Sequence, residues 1–396
     1  MIYKIRCKEA LNRLRRTLCS FGLLVSFAAL PTFGQQIHEL YYNGSQWTDQ
    51  GLKSGEANWF SGIAGFATTP NDQLHVYYPV GGAGDYTDIH QLFYNGTSWS
   101  DQDLTTLVGA PQATETPMTG FSVGNFQYVF YNDAHGHVHQ LLYNNLNWTD
   151  SDLTAITGSP MSFDTALVAF STNPAIHVYF MDINLHIHQL FTADGTNWAD
   201  QDLTSITGGT IGSENGPLNG IAAFNVGNYQ YLFFVAGTGH VHEFFYNNIR
   251  WADADLTQLS KTAPVNEGAI LNNIAAVAIP GTKKMRVYLL NNANHIFQLA
   301  SSDNVTWSGS DLTKKSKGPQ PNSNTNLFAL VDSTNKQVSV YYESGGRVNQ
   351  MTQLPSGWTN EDLTALTGGP LEFDLTSMAG FSLNGGRYLF YNARVD

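Results

Sequence analysis

Residues 89–105 read IHQLFYNGTSWSDQDLT: an alternating apolar run, an Asn-Gly turn, one Trp and an acidic step that ends in Leu-Thr. The pattern recurs seven times. Its Trp marks the phase at Trp47, Trp99, Trp148, Trp198, Trp251, Trp307 and Trp358, with intervals of 52, 49, 50, 53, 56 and 51 residues. A period near fifty is that of a propeller or another repeat array. Further short runs lie between copies. One is rich in small residues, as in Gly62-Ile63-Ala64-Gly65-Phe66 and Met378-Ala379-Gly380-Phe381, and suits an innermost strand crowded round a central channel. The next, as in His75-Val76-Tyr77-Tyr78 and Arg286-Val287-Tyr288-Leu289, is β-branched and aromatic and reads as a strand. Four short strands per fifty residues make one blade, and nothing of helical period rises above that pattern.

The two ends settle the count. The repeats begin on a third-strand run, Ile37-His38-Glu39-Leu40-Tyr41-Tyr42, while Met378–Leu383 and Arg387–Asn392 supply a first and second strand at the other end. The expected fold is therefore all-β: a seven-bladed β-propeller of four-stranded antiparallel blades, closed by pairing N- and C-terminal strands in one blade. Such closure removes free sheet edges. Two departures from the repeat, Leu259–Asn272 and Lys314–Asn324, read as extended loops between blades.

Residues 1–34 stand apart, with Lys4, Arg6, Lys8, Arg13, Arg15 and Arg16 ahead of an apolar run from Leu18 to Leu30 and then Pro31-Thr32-Phe33-Gly34. This is the pattern of a signal peptide, so the domain expectation is a leader at 1–34 and one propeller at 35–396, secreted or periplasmic. Both cysteines, Cys7 and Cys19, lie in that leader, which leaves the mature chain no disulfide. Removing six of the 19 basic and one of the 32 acidic residues leaves 13 against 31, a formal charge of −18. That balance argues against nucleic acid or an anionic membrane as partner, and no stretch reaches the roughly 20 apolar residues that insertion requires. Charged residues make up 13% of the chain and aromatics another 13%, so its polarity rests on Asn, Gln, Ser, Thr and Gly, a surface suited to neutral polar ligands.

Catalysis needs a unique constellation, and these residues repeat. No catalytic residue and no cofactor is assigned, and repetition favours multivalent binding. The Trp ladder offers indole faces that pack on the C–H face of a sugar ring or, equally, blade against blade. A Gln or Glu stands eight or nine residues before each Trp, at Glu39, Gln91, Gln140, Gln189, Glu243, Gln298 and Gln350, able to bond vicinal hydroxyls or to satisfy groups inside the blade. Histidines 38, 90, 139, 188 and 242 precede that residue, and His137, His186 and His240 lie two positions earlier. Such i, i+2 pairs share a strand face and could hold zinc, but no Asp, Glu or Cys at ligand spacing accompanies them, and no metal ligand is assigned. Neighbours on a strand point to opposite faces, so each His and its adjacent Gln serve different surroundings. The paired aspartates Asp101/Asp103, Asp150/Asp152, Asp200/Asp202 and Asp253/Asp255 read as turn caps rather than calcium ligands.

In spacing and residue type the repeats resemble the fungal fucose-specific lectins, which are six-bladed propellers, and the bacterial seven-bladed propeller lectins of similar specificity. A fungal blade carries Arg-Val-Tyr, a Glu roughly twelve residues after the Arg, then a Tyr and a Trp. Arg286 to Gln298 keeps that register, as do His177 to Gln189, Tyr128 to Gln140 and Tyr231 to Glu243. The Arg position is otherwise His75, Tyr128, His177, Tyr231, Ser339 or Tyr388, and Gln replaces Glu in five copies. The resemblance implies sugar pockets between blades: His75 and Gln91 facing Tyr143 and Trp148, His177 and Gln189 facing Tyr246 and Trp251, and Arg286 and Gln298 facing Trp358. Glu39, Tyr94, Trp99, Glu243 and Trp307 occupy the same positions elsewhere. The resulting expectation is a secreted, multivalent, non-catalytic lectin for glycans carrying fucose or a related neutral or O-methylated sugar. The alternatives are a secreted protein-interaction scaffold and a propeller glycoside hydrolase.

Overall fold

The computed structural model describes residues 34–395 apart from 55–61, 82–86, 115–116, 163–165, 213–219, 266–273, 324, 333 and 373–377. Gly34–Val395 form one compact unit. The leader expected at 1–34 lies outside the described residues except for its last, Gly34, which opens the first strand.

Seven antiparallel four-stranded sheets succeed one another along the chain. Blade 1 holds Ala64–Ala67, Leu74–Val80, Asp88–Tyr94 and Trp99–Asp103, strands a to d from the inside out. Blade 2 holds Thr119–Val123, Phe126–Asn132, Val138–Tyr143 and Trp148–Asp152; blade 3, Val168–Ser171, Ile176–Met181, Ile187–Thr192 and Trp198–Asp202. Blade 4 holds Ile221–Val226, Tyr229–Val235, Val241–Tyr246 and Trp251–Asp255; blade 5, Ile274–Ala278, Met285–Leu290, Ile296–Ser301 and Trp307–Asp311; blade 6, Phe328–Val331, Val338–Ser344, Arg347–Leu354 and Gly357–Asp362. Blade 7 takes strands a and b, Ala379–Leu383 and Gly386–Val395, from one end of the chain and strands c and d, Gly34–Tyr42 and Trp47–Ser54, from the other. Its central register pairs Glu39 with Phe390 and Tyr41 with Tyr388, the closure that the truncated first and last repeats imply. Each strand a touches strand a of both neighbouring blades, and the sequence of contacts returns to blade 1. Small residues permit this approach: a Cβ on Gly120 would stand 3.0 Å from the Phe66 ring of blade 1 and 2.8 Å from the Tyr128 carbonyl.

Blades pack through one recurring aromatic pair. A Tyr or Phe of strand b, fully buried as Tyr77, Phe130, Tyr179, Phe233, Tyr288, Tyr341 and Phe390, meets the Trp of the next blade edge-on. Ring centroids are 6.1–6.4 Å apart at interplanar angles of 69–82°. Edge-to-face pairs of this kind stabilise by about 0.5–1.5 kcal/mol beyond their burial.

One-turn helices, which the sequence pattern did not reveal, follow strand d of blades 1–6: Leu104–Val108, Leu153–Thr157, Leu203–Thr207, Leu256–Ser260, Leu312–Ser316 and Leu363–Thr367. Five residues are too few to show a helical period. They account for the Asp-Leu-Thr step residue by residue. The Asp is the N-cap, as when Asp103 accepts from the Thr106 N–H at 2.9 Å. The Leu is wholly buried, and the Thr hydroxyl accepts the first or second N–H of strand c, as in Ile187 N–H to Thr204 Oγ1 at 2.9 Å. Each helix also packs on strand d of the following blade, so it ties neighbours together. The expected loops at Leu259–Asn272 and Lys314–Asn324 thus begin inside helices; residues 266–272 and 324 lie outside the described residues.

The first Asp of each pair caps no helix. It reaches across strands c and d to the His that precedes the Gln or Glu: His90–Asp101 at 3.2 Å, His139–Asp150 at 3.1 Å, His188–Asp200 at 3.0 Å and His242–Asp253 at 2.9 Å; the unpaired Asp49 does the same to His38 at 2.7 Å. As the alternation of a strand demands, this His lies on one blade face and the Gln or Glu on the other.

Candidate functional site: the junctions between blades

Each junction is built on one frame of six positions. Three come from the leading blade: a strand b residue, the buried aromatic two positions later, and the strand c Gln or Glu. Three come from the following blade: the first or second residue of strand b, the strand c residue paired with the Trp, and the Trp itself.

At the junction of blades 1 and 2, Gln91 Nε2 donates to His75 Nδ1 at 2.8 Å, to the Tyr77 hydroxyl at 3.0 Å and to Gln127 Oε1 at 2.9 Å. Tyr77 donates to the same Gln127 oxygen at 2.5 Å, and its ring stands against Trp148, which is itself 5.5 Å from Tyr143. Burial pushes the His75 imidazole down to about 4, so it is neutral; accepting at Nδ1, it carries its proton on Nε2. The junction of blades 3 and 4 repeats the arrangement. Gln189 Nε2 donates to His177 Nδ1 at 2.9 Å, Tyr179 Oη at 2.8 Å and Gln230 Oε1 at 2.8 Å, beside Trp251 and Tyr246. His177 is likewise pushed down to about 4 by burial. The residues matched by spacing therefore do meet across these two junctions, joined by Gln127 and Gln230, which stand one position before Tyr128 and Tyr231.

At the junction of blades 5 and 6, Arg286 Nη1 turns back to the carbonyls of Met285 at 2.8 Å and Ser301 at 3.1 Å in its own blade, while Tyr288 faces Trp358. Glu243 lies on the leading side of the junction with Trp307, and Glu39 on that with Trp99 and Tyr94. Burial raises the carboxyl of Glu39 to about 7 and that of Glu243 to about 8, with the charges of Asp49 and Asp253 adding to the effect. Leu74, Ile176, Met285 and Val338 replace the joining Gln at four junctions.

The last junction, between blades 6 and 7, brings together a set not assembled from the sequence. The Arg387 guanidinium lies 4.1 Å over the Tyr42 ring and 5.2 Å from Trp47, and donates to Ser339 Oγ at 3.2 Å. Gln350 Nε2 donates to the same Ser339 oxygen at 2.8 Å. A cavity of about 500 Å³ opens here, lined by Tyr42, Trp47, Gln350, Arg387, Glu361 and Leu366 among others. Arg387 occupies the Gln127 and Gln230 position rather than that of Arg286, so it lies outside the spacing that carries the family resemblance. Its signal was present: it is the one basic residue at that position in the seven repeats.

Buried polar atoms without a partner among the described residues gather at these junctions. They include His75 Nε2, Gln140 Nε2, Glu39 Oε1, Glu243 Oε1, Gln298 Oε1, Tyr288 Oη and the Nε of Arg286 and Arg387. Donors and acceptors are both represented, beside aromatic rings; hydroxyl groups would satisfy either kind.

Frame and closure define a seven-bladed propeller with aromatic, amide-lined junctions. Solved structures similar to it include lectins. The BP39L lectin of Burkholderia pseudomallei superposes with a TM-score of 0.58 at 12% identity, covering 81% of this chain and 89% of that one. AofleA of Arthrobotrys oligospora gives 0.54 at 15% identity, covering 83% and 90%. The Aleuria aurantia lectin, described as a six-bladed β-propeller with a novel fucose recognition mode, gives 0.53 at 19% identity, covering 77% and 96%. At these identities the likeness establishes the fold. No protein-family model and no curated protein matches the chain. Among the described residues no helix is long and apolar enough to cross a membrane.

Proposed function

We propose that the protein is a carbohydrate-binding lectin that holds neutral sugars at blade junctions, without catalysis. The observation that carries this reading is the cavity between blades 6 and 7, which is lined by the Tyr42 and Trp47 rings, a guanidinium and the Gln350 amide. An aromatic face takes the C–H face of a pyranose, and planar donors and acceptors take its vicinal hydroxyls. The recurrence of the frame supports multivalency, with unequal sites: polar joining residues stand at Gln127, Gln230 and Arg387, and aliphatic ones elsewhere. Fucose or a related 6-deoxy or O-methylated sugar is the ligand class proposed. A mutant of the Aleuria aurantia lectin is solved with Fucα1-6GlcNAc and with α-methyl-L-fucoside. Export is part of the same proposal, resting on the leader pattern of residues 1–34.

A glycan array with wild type, Trp47→Ala and Trp148→Ala tests the reading. Binding to fucosylated glycans that weakens in Trp47→Ala is the expected result. No binding to any glycan would sink it, and hydrolysis of the bound glycans would replace it with the glycosidase alternative.

A further inference from the structure

We propose that the turn between strands b and c of blade 2 binds a divalent transition-metal ion of the zinc class. The ligand atoms of Asp133, His137 and His139 lie within 4.8 Å of one another. His139 Nδ1 is held by the two Asp150 oxygens at 3.2 and 3.1 Å, so its Nε2 points the other way. There it stands 3.7 Å from Asp133 Oδ2 and 4.0 Å from Asp152 Oδ2. These separations exceed a hydrogen bond and approach the ~3.4 Å between two ligands that each sit about 2.1 Å from one tetrahedral ion. Asp133 Oδ1 is occupied by the backbone N–H groups of His135 and His137, both at 2.8 Å, which leaves Oδ2 to face the imidazoles. His137 Nδ1 is hydrogen-bonded to Asp152 Oδ2 at 2.7 Å, and the exposed His135 brings a third imidazole to 3.4 Å from Asp133 Oδ2.

The carboxylate behind His139 has the role of an outer-sphere partner: it fixes the Nδ1–H tautomer and orients Nε2 as a ligand. Blade 3 carries the corresponding residues, but among the described residues only the blade 2 trio brings its ligand atoms within 4.8 Å of one another. His188 Nδ1 is held by Asp200 at 3.0 Å, its Nε2 is 3.7 Å from Asp182 Oδ2, and His186 Nδ1 is 2.7 Å from Asp202. A packing role needs one carboxylate per ring; here a second faces the other ring nitrogen. In blade 4 the pair His240 and His242 remains, but Ala236 stands in the Asp133 position, and in blade 5 Asn291 and Phe297 replace the acid and the second imidazole. Mixed imidazole and carboxylate ligands suit zinc, nickel or copper rather than calcium or magnesium.

Tag-free protein titrated with Zn²⁺ by calorimetry, and with Co²⁺ by visible absorption, at about pH 7.5 tests the site. One ion per chain is expected, lost in Asp133→Asn and retained in Asp182→Asn. Asn291 accepts the same backbone bonds in blade 5, from the Ala293 N–H at 2.9 Å and the His295 N–H at 3.0 Å, so these variants keep the turn. No saturable binding in wild type, or binding unchanged in Asp133→Asn, overturns the proposal.

Discussion

Glu243 occupies a position where five of the seven repeats carry Gln, and replacing it with Gln isolates the cost of a carboxyl at a blade junction. The side chain is 3% exposed, and its Oε1 has no partner among the described residues. Burial first, and the charge of Asp253 second, raise its pKa from 4.5 to about 8. The folded protein therefore holds this proton through a window in which the unfolded chain has lost it. Between pH ~4.5 and ~8 the native state binds more protons, so stability is greatest below that window and falls as pH rises through it. At 1.36 kcal/mol per pH unit the full effect reaches roughly 5 kcal/mol. In a chain of this size each kcal/mol moves Tm by about 1–2 °C. Calorimetric melts of wild type and Glu243→Gln should nearly coincide at pH ~5, and the variant should melt about 5–8 °C higher at pH ~9. Comparing the two proteins at each pH cancels the titration of the histidine–aspartate pairs. A difference that does not grow with pH, or a wild type that is the more stable at pH ~9, would refute the reasoning.

Removing residues 386–396 takes strand b out of blade 7, together with the buried Leu389, Phe390 and Tyr391. At roughly 1.5–3 kcal/mol for each such side chain the loss approaches the whole stability of an ordinary domain, so the truncated protein should lose its cooperative thermal transition; an unchanged transition argues against closure through this blade. Thr204→Val strands the buried Ile187 N–H at a cost of about 1–3 kcal/mol, whereas Thr204→Ser keeps the hydroxyl; urea melts that place the two variants together would contradict the role given to the Thr of the Asp-Leu-Thr step.

The Trp interval and the complementary truncations at the two ends were sufficient for the blade count and for closure, because a propeller repeats one supersecondary unit and its phase is written in every copy. The Gln or Glu before each Trp was legible for the same reason. What the repeat conceals is what crosses from one blade to the next. Gln127, Gln230 and Arg387 act at the preceding blade's junction, so no within-blade spacing pairs them with Gln91, Gln189 and Gln350. Arg286 was prominent for its register, yet its guanidinium is spent on the carbonyls of Met285 and Ser301. The aspartate pairs looked uniform, although the first member of each reaches a histidine on strand c and the second caps a helix too short to leave a periodic trace. The carboxylates facing the second nitrogen of His139 and His188 come from the b–c turn, ahead of the histidines, and emerge only once the hairpin is built.

Sugar binding at the junction of blades 6 and 7 is tested most directly by titrating the strongest array ligand, or methyl α-L-fucoside, into wild type and Arg387→Gln. Glutamine already stands at that position in blades 2 and 4, so the variant retains a side chain that the frame accepts. Loss of a charged, ring-stacked anchor of this kind costs about 2 kcal/mol or more, close to thirtyfold in Kd. The account expects the tightest class of sites to disappear in the variant while its melting transition is preserved. Equal affinity and stoichiometry in the two proteins, or no sugar binding by wild type, would contradict it.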